Sequence, residues 1–452
     1  MLETLEQQRA AFFAELPVPL AIRRDRLRRV VAMIEENSGA LCAALCRDHE
    51  HQSQASAMLT EIAPALTALR NSLRNAAVWM RPVNGNGLWG RLVRGGDYTE
   101  YQPVGMVGLT APATLPVHQT MSLLASVLTA GNRAMVRFDA ATPHLGRLFA
   151  ELAPHYFSPL EFHVLDGQAE DANAFAELPF DLFVASDPTE DAGTRNAELG
   201  GVTIERSGKS PVLIGRSADL AKATEQVIAS KLVKSGHIPL TPDYLLVPAE
   251  QEEAIASWLW RAAMHLHPRM ADHAEIDLPL SDAKLARFTR LINNARARGA
   301  EILVAEHQDS PAGVQHMPLH IVRHATEDML VMQEEISGPI LPLRTYGDID
   351  EAIDEIHRHK PPFAIYHFGR DAAERRHVLA RTISSAIALD GPSLAIVQAS
   401  ARQAGAGLML NNGHGEIGFR GFSRARRVYH QPVIDIARLT GLAPARAAFG
   451  SP

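Results

Sequence analysis

From Gly105 onward the chain repeats one pattern: a short apolar run, then a stretch long enough for one helix, then another short apolar run. The runs are Met106–Leu109, Ala134–Arg137, Phe162–Leu165, Leu182–Ala185 and Val202–Ile204. They are too short for core helices and are rich in the branched and aromatic residues that favour strands. Connections of about 15 to 25 residues suit right-handed crossover helices between parallel strands. The pattern predicts a doubly wound α/β sheet of the dinucleotide-binding type.

A second αβ region follows over 211–390, with helices expected near 217–235, 250–266, 283–299, 348–358 and 370–382. Ahead of the sheet, 22–47 reads as helix, with Leu27, Val30, Val31, Ile34, Leu41 and Leu45 near the 3.6-residue period and a break with a new cap at Asn37–Gly39. Residues 55–80 form another helical stretch, 83–87 a turn-rich linker, and 91–102 a hairpin around Gly95 and Gly96. The tail, 440–452, is rich in Ala, Pro and Gly and is expected to be poorly ordered.

Composition excludes several classes. With 46% hydrophobic and 21% charged residues the 452-residue chain is neither disordered nor fibrous. No apolar run approaches a membrane span, and Met1–Ala10 has no apolar segment of a secretion signal. The net charge of -7 argues against nucleic acid as a partner. The expected location is the cytoplasm. There are two cysteines, Cys42 and Cys46, four apart on one helix face. They read as small packing residues in a reducing compartment, with no metal site implied. Residues 47–452 contain no thiol, and the first lysine is Lys209.

Six segments in order then become specific: Glu100–Gly108 with Ala130–Asn132, Thr203–Pro211, Pro242–Tyr244, Met332–Pro342, Gly413–Gly415 and Phe422–Ser423. Together they resemble the aldehyde dehydrogenase superfamily over nearly the whole chain. With Trp79–Pro82 before the hairpin, the flavour is that of the short dimeric class that includes fatty and coniferyl aldehyde dehydrogenases. The resemblance implies a Rossmann-like domain (1–87 and 105–206), a second αβ domain on the catalytic half (207–427), and an oligomerisation arm (88–104 and 428–452). In the family the arm joins two subunits, so a homodimer is expected. The hairpin's Leu88, Trp89, Leu92, Val93 and Tyr98 need such a cover.

The family's chemistry uses a cysteine thiolate that attacks an aldehyde, hydride transfer to NAD(P), and hydrolysis of the thioester by glutamate-activated water. An asparagine amide and the cysteine's own N–H hold the oxyanion. The nucleophile segment aligns as Lys234–Tyr244, with Pro239 at the cysteine position, which has neither a nucleophile nor an N–H. Thr114 stands at the asparagine position. Glu205 keeps the general-base position. The cofactor side is altered too. The adenosine-ribose lysine corresponds to Arg137, the pyrophosphate turn carries Asp187, Glu190 and Asp191, and the segment to Glu205 is shorter by about one helical turn. Glu335, the nicotinamide-ribose position, is kept, but Ser337 replaces an aromatic.

Ser235 and His237, near Glu205, supply the raw material of a serine-hydrolase-like site without an oxyanion hole. Ser235 reads equally as a cap, and His237 as a filler. His118 reads as a pocket residue or a satisfied one behind it. The pairs His265/His267 and His357/His359 do not share a helix face. Arg420–Arg427 reads as a solvated connection or an anion-binding patch.

The expected function is therefore a catalytically inactive aldehyde dehydrogenase homologue with a binding or scaffolding role. It would hold a small aryl or acyl ligand between the domains, or a protein partner. No cofactor is expected, and NAD or NADP if there is one. The competing expectations are an enzyme of changed mechanism in the old aldehyde tunnel, and conventional NAD(P)-dependent oxidation of an aryl or fatty aldehyde.

Overall fold

The computed structural model describes residues 1–49, 53–84, 97–113, 115–165, 171–185, 208–236, 241–271, 282–306, 317–362, 364–384, 386–391 and 415–429. A short strand β1 (Val83–Asn84) pairs antiparallel with β2 (Asp97–Pro103). The turn-rich segment that starts at residue 83 thus begins as a strand, because Val83 and Asn84 lie opposite Thr99 and Tyr98.

The first main sheet holds β3 (Met106–Thr110), β4 (Arg133–Arg137), β5 (Phe162–Leu165) and β6 (Leu182–Val184) in the order β5-β4-β3-β6, all parallel. This is the third-second-first-fourth order of a dinucleotide-type half sheet. The expected strand at 202–204 lies outside the described residues. Helix Pro116–Ala130, which crosses from β3 to β4, is buried along its whole length. It ends at Gly131, whose φ of 92° closes the helix in the left-handed conformation.

The helical stretches expected at 22–47 and 55–80 are present. The first breaks between Leu20–Glu36 and Ser38–Asp48. Asn37 does not cap the second helix through its side chain; its amide turns back to donate to Met33 O at 2.9 Å. An unanticipated helix, Leu2–Glu15, buries Leu5, Gln8 and Phe12 and joins Arg9 to Asp181. One apolar residue per turn or two is a weak periodic signal, and the sheet beneath supplies the rest of its stability.

The second sheet has seven strands: β7 (Pro211–Ile214), β8 (Tyr244–Pro248), β9 (Glu301–Ala305), β10 (Leu319–Arg323), β11 (Ile340–Tyr346), β12 (Ala364–Phe368) and β13 (Ala386–Leu389). Their order is β13-β12-β7-β8-β11-β10-β9, with only β9 antiparallel to its neighbour. Its helices start at carboxylate caps: Asp219, Asp348 and Asp371 each accept backbone N–H bonds from the first turn they precede. Leu115, just beyond β3, is buried in the core of this second body and ties the two together.

Helix Gly415–Gly421 and β14 (Ser423–Tyr429) return to the first body. Phe419 and Phe422 enter its core, and β14 pairs with β2 along seven residues, from Ser423 opposite Pro103 to Tyr429 opposite Asp97. The terminal strand therefore starts at 423, and the arginine-rich stretch runs from Arg420 in the last turn of that helix into the strand. Arg426 pairs with Glu100, and Arg420 with Glu416. No helix of the described residues is long and apolar enough to cross a membrane.

Candidate functional site

The site sits at the amino-terminal ends of three adjacent parallel strands. Tyr244 lies opposite Pro211, so the segments entering β7 and β8 run side by side, and Asp243 N–H donates to Ser210 O at 2.8 Å. The segment entering β11 joins them, since β11 is the next strand over. Helix Leu220–Leu232 carries the chain back from the far end of β7, so its last turn delivers Lys231 to the same place. The cavity they enclose is lined by Gly208, Lys209, Ser210, Lys231, Gly236, Thr241, Asp243, Glu335 and Ser337.

Two buried ammonium groups face this cavity in unequal surroundings. Lys209 Nζ donates to Val331 O at 2.6 Å and to Glu334 O at 2.8 Å, and lies 3.6 Å from Asp243 Oδ2. Its ring neighbour is Tyr244, 5.8 Å to the centroid. Burial pushes its pKa down even against the nearby Asp243 charge. Lys231, 1% exposed, donates to Pro242 O at 2.9 Å. Burial lowers its pKa to about 8, and the Lys209 charge adds to the effect while Asp243 and Glu335 oppose it. Asp243 Oδ1 accepts the Ile336 N–H at 3.1 Å. Ser210 Oγ, Thr241 Oγ1 and Asp243 Oδ2 are buried with no hydrogen-bond partner among the described residues.

Two turns shape the rim. Ser235 is buried at φ 49°, and Gly236 follows at φ 76°. A Cβ on Gly236 would meet Gly338 O at 2.6 Å, so glycine is required by both conformation and space. Ser337 also has a positive φ, 45°, and donates from its hydroxyl to Glu335 Oε1 at 2.7 Å.

Of the residues singled out in the sequence, Glu335 and Ser337 line this cavity, with Glu335 exposed, and Ser235 is the buried neighbour of the lining residue Gly236. Arg137 is elsewhere, buried at the carboxyl end of β4. Thr114, Glu205, His237, Pro239 and the acidic turn with Asp187, Glu190 and Asp191 lie outside the described residues. Trp89 and most of the hairpin do as well.

His118 is buried, its Nδ1 3.3 Å from Ser122 Oγ. Its backbone N–H and that of Val117 donate to the buried Glu61 carboxylate at 2.9 and 3.1 Å, which seats Glu61 on the start of helix Pro116–Ala130. His357 lies 2.8 Å from Arg381 O, and His359 lies 3.6 Å from Glu355. No cluster of His, Cys, Asp or Glu among the described residues is placed to hold a metal.

The residues missed are Lys209, Lys231 and Asp243 as one cluster. Charged side chains in segments that lead into apolar strands were the available signal, since such groups are buried only when paired.

The aldehyde dehydrogenase family profile matches residues 3–389. A coniferyl aldehyde dehydrogenase from Pseudomonas sp. (strain HR199 / DSM 7063) is 33% identical over 449 residues, covering 97% of this chain and 92% of that protein. The substrate-bound state of Staphylococcus aureus AldH superposes with a TM-score of 0.83 at 23% identity, covering 95% of this chain and 94% of the other. A Mycobacterium tuberculosis aldehyde dehydrogenase complexed with NAD+ superposes at 0.77 and 18% identity, covering 95% and 90%.

Proposed function

The chain belongs to the aldehyde dehydrogenase family, and from that premise we propose that it binds an aryl aldehyde in the family's cleft without passing it through a thioester. One observation carries the reading: no cysteine follows Cys46. Both thiols lie on helix Ser38–Asp48, where Cys42 packs in the first core, and burial raises their pKa, away from the reactive thiolate. In this reading Pro239 occupies the nucleophile position and Thr114 the oxyanion position, so the attacking group and both oxyanion donors are lost together. Glu205 keeps its place without a thioester to hydrolyse. The aryl class is supported by the coniferyl aldehyde dehydrogenase relative.

The same reading leaves NAD(P) out of the family pose. Arg137 stands at the adenosine-ribose position as a buried arginine, 5% exposed, whose planar fork differs in reach from a lysine. The Glu335 carboxylate accepts the Ser337 hydroxyl. The assembly proposed is a homodimer built on the β1-β2-β14 arm.

Incubation with coniferyl aldehyde and NAD or NADP tests the proposal. The expected result is aldehyde binding by calorimetry and no cofactor reduction above a boiled control. Cofactor reduction that survives Cys42→Ser with Cys46→Ser would overturn it in favour of oxidation by another route. Micromolar NAD affinity, roughly -8 kcal/mol, would overturn the cofactor part.

A further inference from the structure

We propose that the cavity at the entry of β7, β8 and β11 is a binding site for one structural water molecule, held by Ser210 Oγ, Thr241 Oγ1 and Asp243 Oδ2. Volume sets the size of the occupant: about 10 Å³ is open to a molecule's centre, roughly the room that a single water needs. Polarity sets its kind. Ser210, Thr241 and Asp243 are 2%, 5% and 4% exposed, and each turns a buried oxygen without a hydrogen-bond partner among the described residues to the same small space. Buried oxygens of this sort are satisfied in folded proteins by a protein group or by ordered water.

The three oxygens call for a small group that both donates and accepts. Lys209 Nζ lies 3.6 Å from Asp243 Oδ2, an ion-pair separation longer than a hydrogen bond. Oδ2 therefore takes its donor from the cavity, while Oδ1 is committed to the Ile336 N–H. The two hydroxyls can each give or take a hydrogen. A water gives two hydrogens and accepts two, which matches the set. A cation would add charge beside the Lys209 and Lys231 ammonium groups, and an anion would face the Asp243 carboxylate. A neutral water meets neither repulsion. Through it Ser210, entering β7, is joined to Thr241 and Asp243, entering β8, and the Asp243–Ile336 bond carries the link on to β11. Gly236 and Thr241 both line the cavity, so the segment between them, which carries Pro239, leaves and re-enters the fold at this water. The site stands independently of the aldehyde-binding reading.

High-resolution crystallography of the intact protein tests the site. The expected result is one density peak at roughly 2.6 to 3.0 Å from each of the three oxygens. Thr241→Val keeps the side chain's shape and removes its hydroxyl, and the peak is expected to be lost in that variant. Wild-type crystals decide the matter even where the variant fails to fold. Under xenon pressure, and separately after a rubidium bromide soak, they are expected to show no anomalous peak in the cavity. Xenon there would mean a dry cavity, and rubidium or bromide there would mean an ion site. Either outcome overturns the water, as does a cavity without density. A peak that persists unchanged in Thr241→Val overturns the three-point hold.

Discussion

Replacing Asp243 by asparagine removes one charge from a pair whose side chains are only 5% and 6% exposed. At 3.6 Å and an effective dielectric near 20, the attraction lost is about 4 to 5 kcal/mol. Desolvation of the carboxylate is relieved at the same time, and the two carbonyls still hold the ammonium, so the net loss is expected at about 3 to 5 kcal/mol, the range for an orphaned buried charge. Urea unfolding followed by far-UV circular dichroism measures it. The pair term is isolated by a cycle with Lys209→Met. Removing both charges is expected to cost less than the sum of the single losses, by at least about 1 kcal/mol. A loss below about 1 kcal/mol for Asp243→Asn, or strict additivity in the cycle, would refute the claim that this pair anchors the entry of β7 to that of β8.

Glu161 is pushed up by burial, but hydrogen bonds and charge from Arg29 and Arg26 outweigh that and hold it at about 2. Its stabilisation is therefore complete above the unfolded carboxylate pKa and lost as pH falls through about 2. Glu161→Gln is expected to lower stability by about 2 to 3 kcal/mol at pH 7, with the gap closing in acid; an equal gap at pH 7 and pH 3 would contradict this. Gly236→Ala is expected to destabilise by about 1 to 3 kcal/mol in the same urea assay, from the positive φ and the close Gly338 carbonyl. Light scattering at low micromolar concentration is expected to give the mass of two chains, and Trp89→Asp to shift it to one; a single-chain mass for the wild type would defeat the dimer.

Much of the architecture was legible in the chain alone, because local rules decide it. Helices at 348–358 and 370–382 begin where Asp348 and Asp371 offer a carboxylate to the first turn, and β3, β4 and β5 fall where short apolar runs alternate with helix-length connections. The absence of a thiol beyond Cys46 is likewise a property of composition, which no fold can change. Two kinds of feature were not legible. Val83–Asn84 is a strand only because β2 lies beside it, and helix Leu2–Glu15 is held by the sheet it covers. The cavity's charges come from positions 209, 231, 243 and 335, separated by intervals with no period. Only the parallel register of β7 and β8, and the crossover helix that must return to their starting ends, bring those side chains to one place. How each buried ammonium is satisfied is then a matter of how many carbonyl and carboxylate oxygens the packing leaves within reach of each nitrogen, and that number exists only in three dimensions.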